Sequence, residues 1–158
     1  MTEPTPEPPR DAAHWARPVS RLTVSGVPEE AINLNVQGRH LTGPVRGFGQ
    51  MWQKTYRIRL RGSTVPPAQV ISTWKQHFPR FWPKGNAFYA PLTGIAPGEV
   101  ALQTISAPGG LRLTTGELVL YADDESFTFM TPQGHMFAAG LPSAPLRRRA
   151  TRSRKRKC

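Results

Sequence analysis

Cysteine occurs once in this chain of 158 residues, at Cys158. No internal disulfide or cysteine-based metal site can therefore form, and a prenylation box, whose cysteine must lie four residues from the end, is excluded. No stretch approaches the run of ~18 apolar residues that a membrane helix needs. The opening Met1-Thr2-Glu3-Pro4-Thr5-Pro6-Glu7 is acidic and proline-rich, whereas a secretory signal is basic and then apolar. A cytoplasmic protein is the expectation. Acids are also scarce, 10 against 21 basic residues, for a net charge of +11. That imbalance is local. Arg147, Arg148, Arg149, Arg152, Arg154, Lys155, Arg156 and Lys157 crowd the last twelve positions, while residues 1–140 hold the other 13 basic residues and all 10 acids. The basic character thus belongs to a tail, which would bind polyanions such as RNA, DNA or anionic lipid without sequence preference.

The apolar fraction, 38%, is low for a globular chain, and the two ends account for it. Residues 1–18 carry Pro4, Pro6, Pro8, Pro9 and Pro18, and residues 141–158 are mostly Arg, Lys, Ser, Pro and Ala. Neither end has the apolar surface to offset the entropy of ordering. The expected organisation is a disordered proline-rich N-terminus over 1–18, one folded domain over 19–140, and a disordered basic tail over 141–158.

Within the domain, short strands are expected at 19–25 and 31–37, separated by a turn at Glu29-Glu30. Residues 50–61 alternate, with Trp52, Tyr56, Ile58 and Leu60 on one side and Arg57, Arg59 and Arg61 on the other, the period of a half-buried strand. Ser63 to Pro67 offers a hydroxyl and prolines at a helix start. Val70, Ile71, Trp74 and Phe78 follow as one apolar stripe until Pro79, which predicts a helix over 66–78. A loop-rich aromatic segment spans 80–97. Strands are then expected at 98–106, 111–122 and 126–131, turning at Pro108-Gly109-Gly110 and Asp123-Asp124-Glu125, with a bend or bulge near Thr114-Thr115-Gly116. The fold class is α+β, an antiparallel sheet of five or six strands with one main helix.

Chemical motifs are few. Gly47-Phe48-Gly49 has two glycines of the dinucleotide fingerprint but precedes a strand, whereas that fingerprint follows one. No cofactor is expected. The histidines His14, His40, His77 and His135 lack metal-ligand spacing. His135, beside Met136 and Phe137, lines a pocket more readily than it catalyses. Glu99 and Glu117 lie on separate expected strands, and an acid–base pairing is open to them in principle, but no catalytic residue is assigned. Nine of the fourteen aromatics fall within 48–89, which fits either a core between helix and sheet or a core with a cavity beside it.

Three runs carry a resemblance. They are Gly47-Phe48-Gly49-Gln50-Met51-Trp52-Gln53-Lys54-Thr55-Tyr56, Phe81-Trp82-Pro83-Lys84-Gly85-Asn86, and Tyr121-Ala122-Asp123-Asp124-Glu125-Ser126-Phe127-Thr128-Phe129-Met130-Thr131-Pro132-Gln133-Gly134-His135. Over about residues 20–138 the chain resembles a group of actinobacterial proteins without an assigned activity, itself similar to the SRPBCC superfamily of StAR-related and pollen-allergen-like proteins. The resemblance implies a helix-grip fold, a curved antiparallel sheet wrapped on a C-terminal helix with an apolar cavity between them. It implies an apolar small molecule or lipid as ligand, with Tyr56, Trp74, Phe88, Tyr89, Phe127, Phe129 and His135 as candidate wall residues. A cyclase or hydrolase using His135 with a carboxylate in the same pocket is the alternative. The last strands and closing helix of that pattern are missing after Phe137. The architecture is therefore expected to be an incomplete helix grip, C-terminally truncated, with residues from about 139 onward the product of a frameshift or shortened gene. Its concave face would then be exposed, which favours homo-oligomers.

Overall fold

The computed structural model describes residues 11–31, 33, 35–42, 52–53, 56–58, 61–135 and 139–145, and the side chains of all these except 52–53, 56–58 and 139–145. The glycine turn at 47–49, the side chain of Tyr56, and the basic residues Arg147 to Lys157 lie outside them.

The strands are β1 (Trp52–Gln53), β2 (Tyr56–Ile58), β3 (Ala87–Tyr89), β4 (Val100–Ser106), β5 (Arg112–Ala122), β6 (Phe127–Met130) and β7 (Ala139–Pro145), with one α-helix, α1 (Pro67–His77). They form a single sheet in the order β1-β7-β6-β5-β4-β3, with β2 also on β7. The pairs β3–β4, β4–β5, β5–β6 and β6–β7 are antiparallel. The fold is α+β, with an antiparallel sheet and one main helix, and among the described residues no helix is long and apolar enough to cross a membrane.

Several expectations are corrected. β1 and β2 pair with β7 in parallel, a relation that alternation within one strand cannot reveal. Residues 139–145 continue the sheet, so the ordered backbone runs past the limit set at 140. No strand forms at 19–25. That segment is held irregularly by bonds such as Leu22 N to Arg39 O (2.8 Å) and Gly38 N to Leu22 O (2.8 Å). Ordered structure also begins before residue 19. Asp11 caps a 3₁₀ turn by accepting from Ala13 N (2.9 Å), and Ala16 N donates to Leu120 O (2.8 Å). The register shift on β5 falls between Val119 and Tyr121, not at 114–116.

α1 begins where expected. Pro66 and Pro67 occupy positions whose N–H groups have no helical partner anyway, and Val70 N bonds Pro66 O (3.2 Å). The helix stops at His77, and Pro79 enters a 3₁₀ turn over Phe78–Phe81. Its apolar stripe is laid on the sheet. Ile71 is buried, and Trp74 and Phe78 pack against Phe127, Phe129 and Phe88. Full burial of one such side chain stabilises by about 1.5–3 kcal/mol. Lys75 pins the last turn, donating from Nζ to Asp123 O (2.7 Å) in the β5–β6 turn. Burial lowers the Lys75 pKa, against the opposing pull of Asp123 and Asp124.

Both faces of the sheet are covered. Val100, Leu102 and Leu118 face Leu22, Val36 and their neighbours from the N-terminal segment, while Ala101, Val119, Phe127 and Phe129 face α1. The open concave face from which association was expected is thus occupied over its Phe127–Phe129 half. Gly116, on the N-terminal side, permits this double covering. A Cβ there would stand 2.5 Å from the Ala101 carbonyl oxygen and 3.1 Å from both Leu102 and Val36.

Candidate functional site

Period-two alternation assigns each residue of β4 and β5 to a face. Ala101 pairs with Glu117 and Gln103 with Thr115, and Ala101 belongs to the helix-side core. Glu117 and Gln103 therefore project toward the helix side, in line with Val119. Each is only 2% exposed. A carboxyl so placed loses its hydration, which disfavours the charged form. Desolvation raises the Glu117 pKa from 4.5 to about 7, and a hydrogen bond from Gln103 acts in the opposite direction.

Gln103 joins this carboxyl to a histidine. Its amide Nε2 lies 3.4 Å from Nε2 of His135, which follows β6 and whose backbone N–H donates to Pro132 O (3.2 Å). An amide nitrogen only donates, so the facing imidazole nitrogen accepts and the ring proton sits on Nδ1. His135 is half-buried and Glu117 fully buried, so the three residues lead from the protein surface to its interior.

Two buried side-chain polar atoms lack a hydrogen bond among the described residues, Oε2 of Glu117 and Nε1 of Trp82. Trp82 follows the 3₁₀ turn after α1 and packs on Phe88, ring centroids 5.0 Å apart. Phe88 lies across from Gln103 in the β3–β4 register. Both orphaned atoms thus belong to the helix side. Toward the β4–β5 hairpin the same face opens, since Leu113, paired with Ile105, is 40% exposed.

The residues expected to line a pocket divide. Trp74, Phe88, Phe127 and Phe129 meet around Phe78, whose ring lies 4.9 Å from Phe88 and 5.4 Å from both Phe127 and Phe129. They pack on one another as core. Tyr89 faces the opposite way, against the N-terminal cluster, because one residue along a strand reverses the side. His135 is brought to Gln103. Gln103, Trp82 and the central place of Glu117 were missed. A legible signal existed for two of them, Gln103 inside the run Val100–Ile105 and Glu117 at the head of the apolar run Leu118–Ala122, because such residues are rarely fully buried without a reason. Among the described residues no group of three metal-ligating side chains occurs. Compared with protein-family models, curated proteins and solved structures, the chain matches none of them.

Proposed function

We propose that this chain binds a small, mainly apolar molecule on the helix side of the sheet, at the end marked by Glu117 and Gln103. The observation that carries this reading is the Glu117 carboxyl, 2% exposed and with Oε2 unpartnered. Such an atom costs about 1–3 kcal/mol of stability, and a well-packed apolar residue in its place would avoid the cost. Perturbed titratable groups of this kind gather at functional sites. The apolar approach over Ile105 and Leu113 supports a ligand that buries hydrocarbon there. A single helix laid on an antiparallel sheet is compatible with the helix-grip layout of SRPBCC-like proteins, whose ligands are apolar.

The test is a fluorescence titration of the full chain with the neutral dye N-phenyl-naphthylamine. Saturable binding is expected, weakened at least several-fold by Leu113→Glu, which puts a charge on the approach at a position already exposed. No saturable binding, or binding indifferent to Leu113→Glu, overturns the reading.

The link from Glu117 through Gln103 to His135 favours a second reading, in which the bound molecule is also converted by acid–base catalysis. Glu117 keeps its proton up to about pH 7, where general acids and bases work best. Deuterium exchange beside the carbonyl of a bound aryl methyl ketone in heavy water, lost in Glu117→Gln, is the expected sign. Its absence in the native chain rejects this reading alone.

A further inference from the structure

We infer that the Gln103 amide is a proton-sensitive switch, turning over as Glu117 gains or loses its proton and thereby fixing which ring nitrogen of His135 carries hydrogen. The device needs no ligand, so it stands independently of the binding reading above.

The three groups are already joined. Glu117 and Gln103 are each 2% exposed, so bulk water cannot stand in for either one at their shared bond. That bond favours the ionised carboxyl, and an amide donates only from its nitrogen. Nε2 is therefore the atom given to Glu117. Oε2 of the carboxyl lacks a partner, which leaves Oε1 as the acceptor. The same Nε2 lies 3.4 Å from Nε2 of His135. An amide nitrogen has two hydrogens, one for each neighbour. This arrangement suits an ionised Glu117 and a His135 that carries its hydrogen on Nδ1.

Protonation upsets it. The new acid O–H needs an acceptor, whereas Gln103 turns a donor toward it. Burial holds the proton on Glu117 up to about pH 7, so the conflict arises in the neutral range. The amide contains the remedy, because its nitrogen and oxygen are nearly equal in size and a half-turn exchanges them without repacking the core. The oxygen then faces both neighbours, with one lone pair for each. It accepts from the Glu117 acid and requires a hydrogen on Nε2 of His135. The protonated nitrogen of a histidine is set by the bonds its ring makes, so the hydrogen passes from Nδ1 to Nε2. The exchange can run through solvent, since the ring is half-buried. A proton taken up in the closed interior is thus reported on a ring in the connection from β6 to β7.

Other charges do not supply this coupling. The elements on the helix side also carry Glu99, Lys75, His77, Arg80 and Lys84. Among the described residues, however, burial and Gln103 account for the Glu117 shift, and Lys75 is engaged at Asp123 O. On the His135 turn, a Cβ at Gly134 would stand 3.6 Å from Nη1 of Arg39, a cation that does not titrate. His40 accepts through its carbonyl from Gln133 N (2.7 Å) and holds Ser20 O through Nδ1.

The experiment is nuclear magnetic resonance on the full chain with isotope-labelled histidine and glutamate, from about pH 9 down to about pH 5. The His135 signals are those absent from His135→Gln. At the alkaline end Nδ1 is expected to be protonated and Nε2 bare. As the Glu117 carboxyl titrates, the two nitrogen signals should move in opposite directions and in step with it. A histidine that merely takes a second proton differs, because there the bare nitrogen moves and the other keeps its hydrogen. Glu117→Gln has no proton to gain, and Gln103→Met has no amide to turn, so each should lose the opposed movement. The inference is overturned if the same nitrogen is protonated at every pH or if Nε2 moves alone. It is equally overturned if the opposed movement survives in Glu117→Gln. Should Gln103→Met fail to fold, the native chain and Glu117→Gln decide the matter without it.

Discussion

Trp15 stacks edge-on against Tyr121, ring centroids 5.0 Å apart, and bridges to it as an isolated antiparallel pair. Tyr121 in turn donates its hydroxyl to the Asp123 carboxylate, whose other oxygen accepts from Glu125 N (2.8 Å) and Ser126 N (2.7 Å). The N-terminal segment is thereby tied to the β5–β6 turn. Trp15 is 42% exposed, so Trp15→Ala removes only part of a full aromatic burial. A loss of about 1–2 kcal/mol is expected in urea unfolding. Deleting residues 1–10 should change stability little, whereas deleting 1–18 should cost at least as much as the point substitution.

Gly116→Ala should be among the most damaging single-methyl additions in this chain. The added Cβ meets the Ala101 backbone oxygen at 2.5 Å, and a strand backbone in a paired ladder cannot yield as a flexible side chain would. Overpacking of this kind costs about 1–3 kcal/mol. The check is the urea midpoint against Gly110→Ala, where nothing lies within 4 Å and only a positive φ of 77° is strained. Gly116→Ala is expected to be the worse of the two.

Glu117→Gln should stabilise the protein, and more so as pH rises. The native carboxyl titrates at about 7 in the fold against 4.5 ordinarily, so between these values the unfolded chain has lost a proton that the folded chain retains. Stability from this group is therefore undiminished below pH 4.5 and falls as pH rises toward 7. The full difference is on the order of 3 kcal/mol. Native and variant unfolding curves measured from pH 4 to 8 should separate progressively across that window. A constant separation would mean that Glu117 titrates normally.

The basic tail gives a prediction from charge alone. The eight cations between Arg147 and Lys157 should confer DNA and RNA binding that weakens steeply with salt, with a log–log slope of up to about −7 on duplex DNA. Deleting 146–158 should abolish that binding and leave the melting temperature unchanged. Deleting 141–158 should also lower the melting temperature, because β7 carries both β1 and β2 and pairs with β6. Salt-insensitive binding, or binding that survives either deletion, would place the interaction elsewhere.

Elements whose signals are local were legible in advance. The stripe from Val70 to Phe78 between Pro66 and Pro79 located α1, and alternation with turn residues located β4, β5 and β6 within a residue or two. β3 itself was not located. The resemblance had set Phe88 and Tyr89 in one pocket wall, within a segment read as loop, although they face opposite sides of β3. Composition misjudged the ends, because averaging over proline and charge hid the anchors Asp11, Trp15 and Ala16, and β7 is built from Ala, Gly, Leu, Pro and Ser without an alternating pattern.

Sequence by itself determined the helix, the three central strands, the charge of the tail and the exclusion of cysteine chemistry, since each follows from spacing or composition within a short stretch of chain. The partnership of β7 with β1 and β2, the covering of both sheet faces, and the convergence of Glu117, Gln103 and His135 were decided by tertiary structure alone. These depend on register between segments tens of residues apart. A carboxyl two residues along a strand from Thr115 acquires its perturbed pKa only when Ala101, Gln103 and the helix-side core close over it and exclude water.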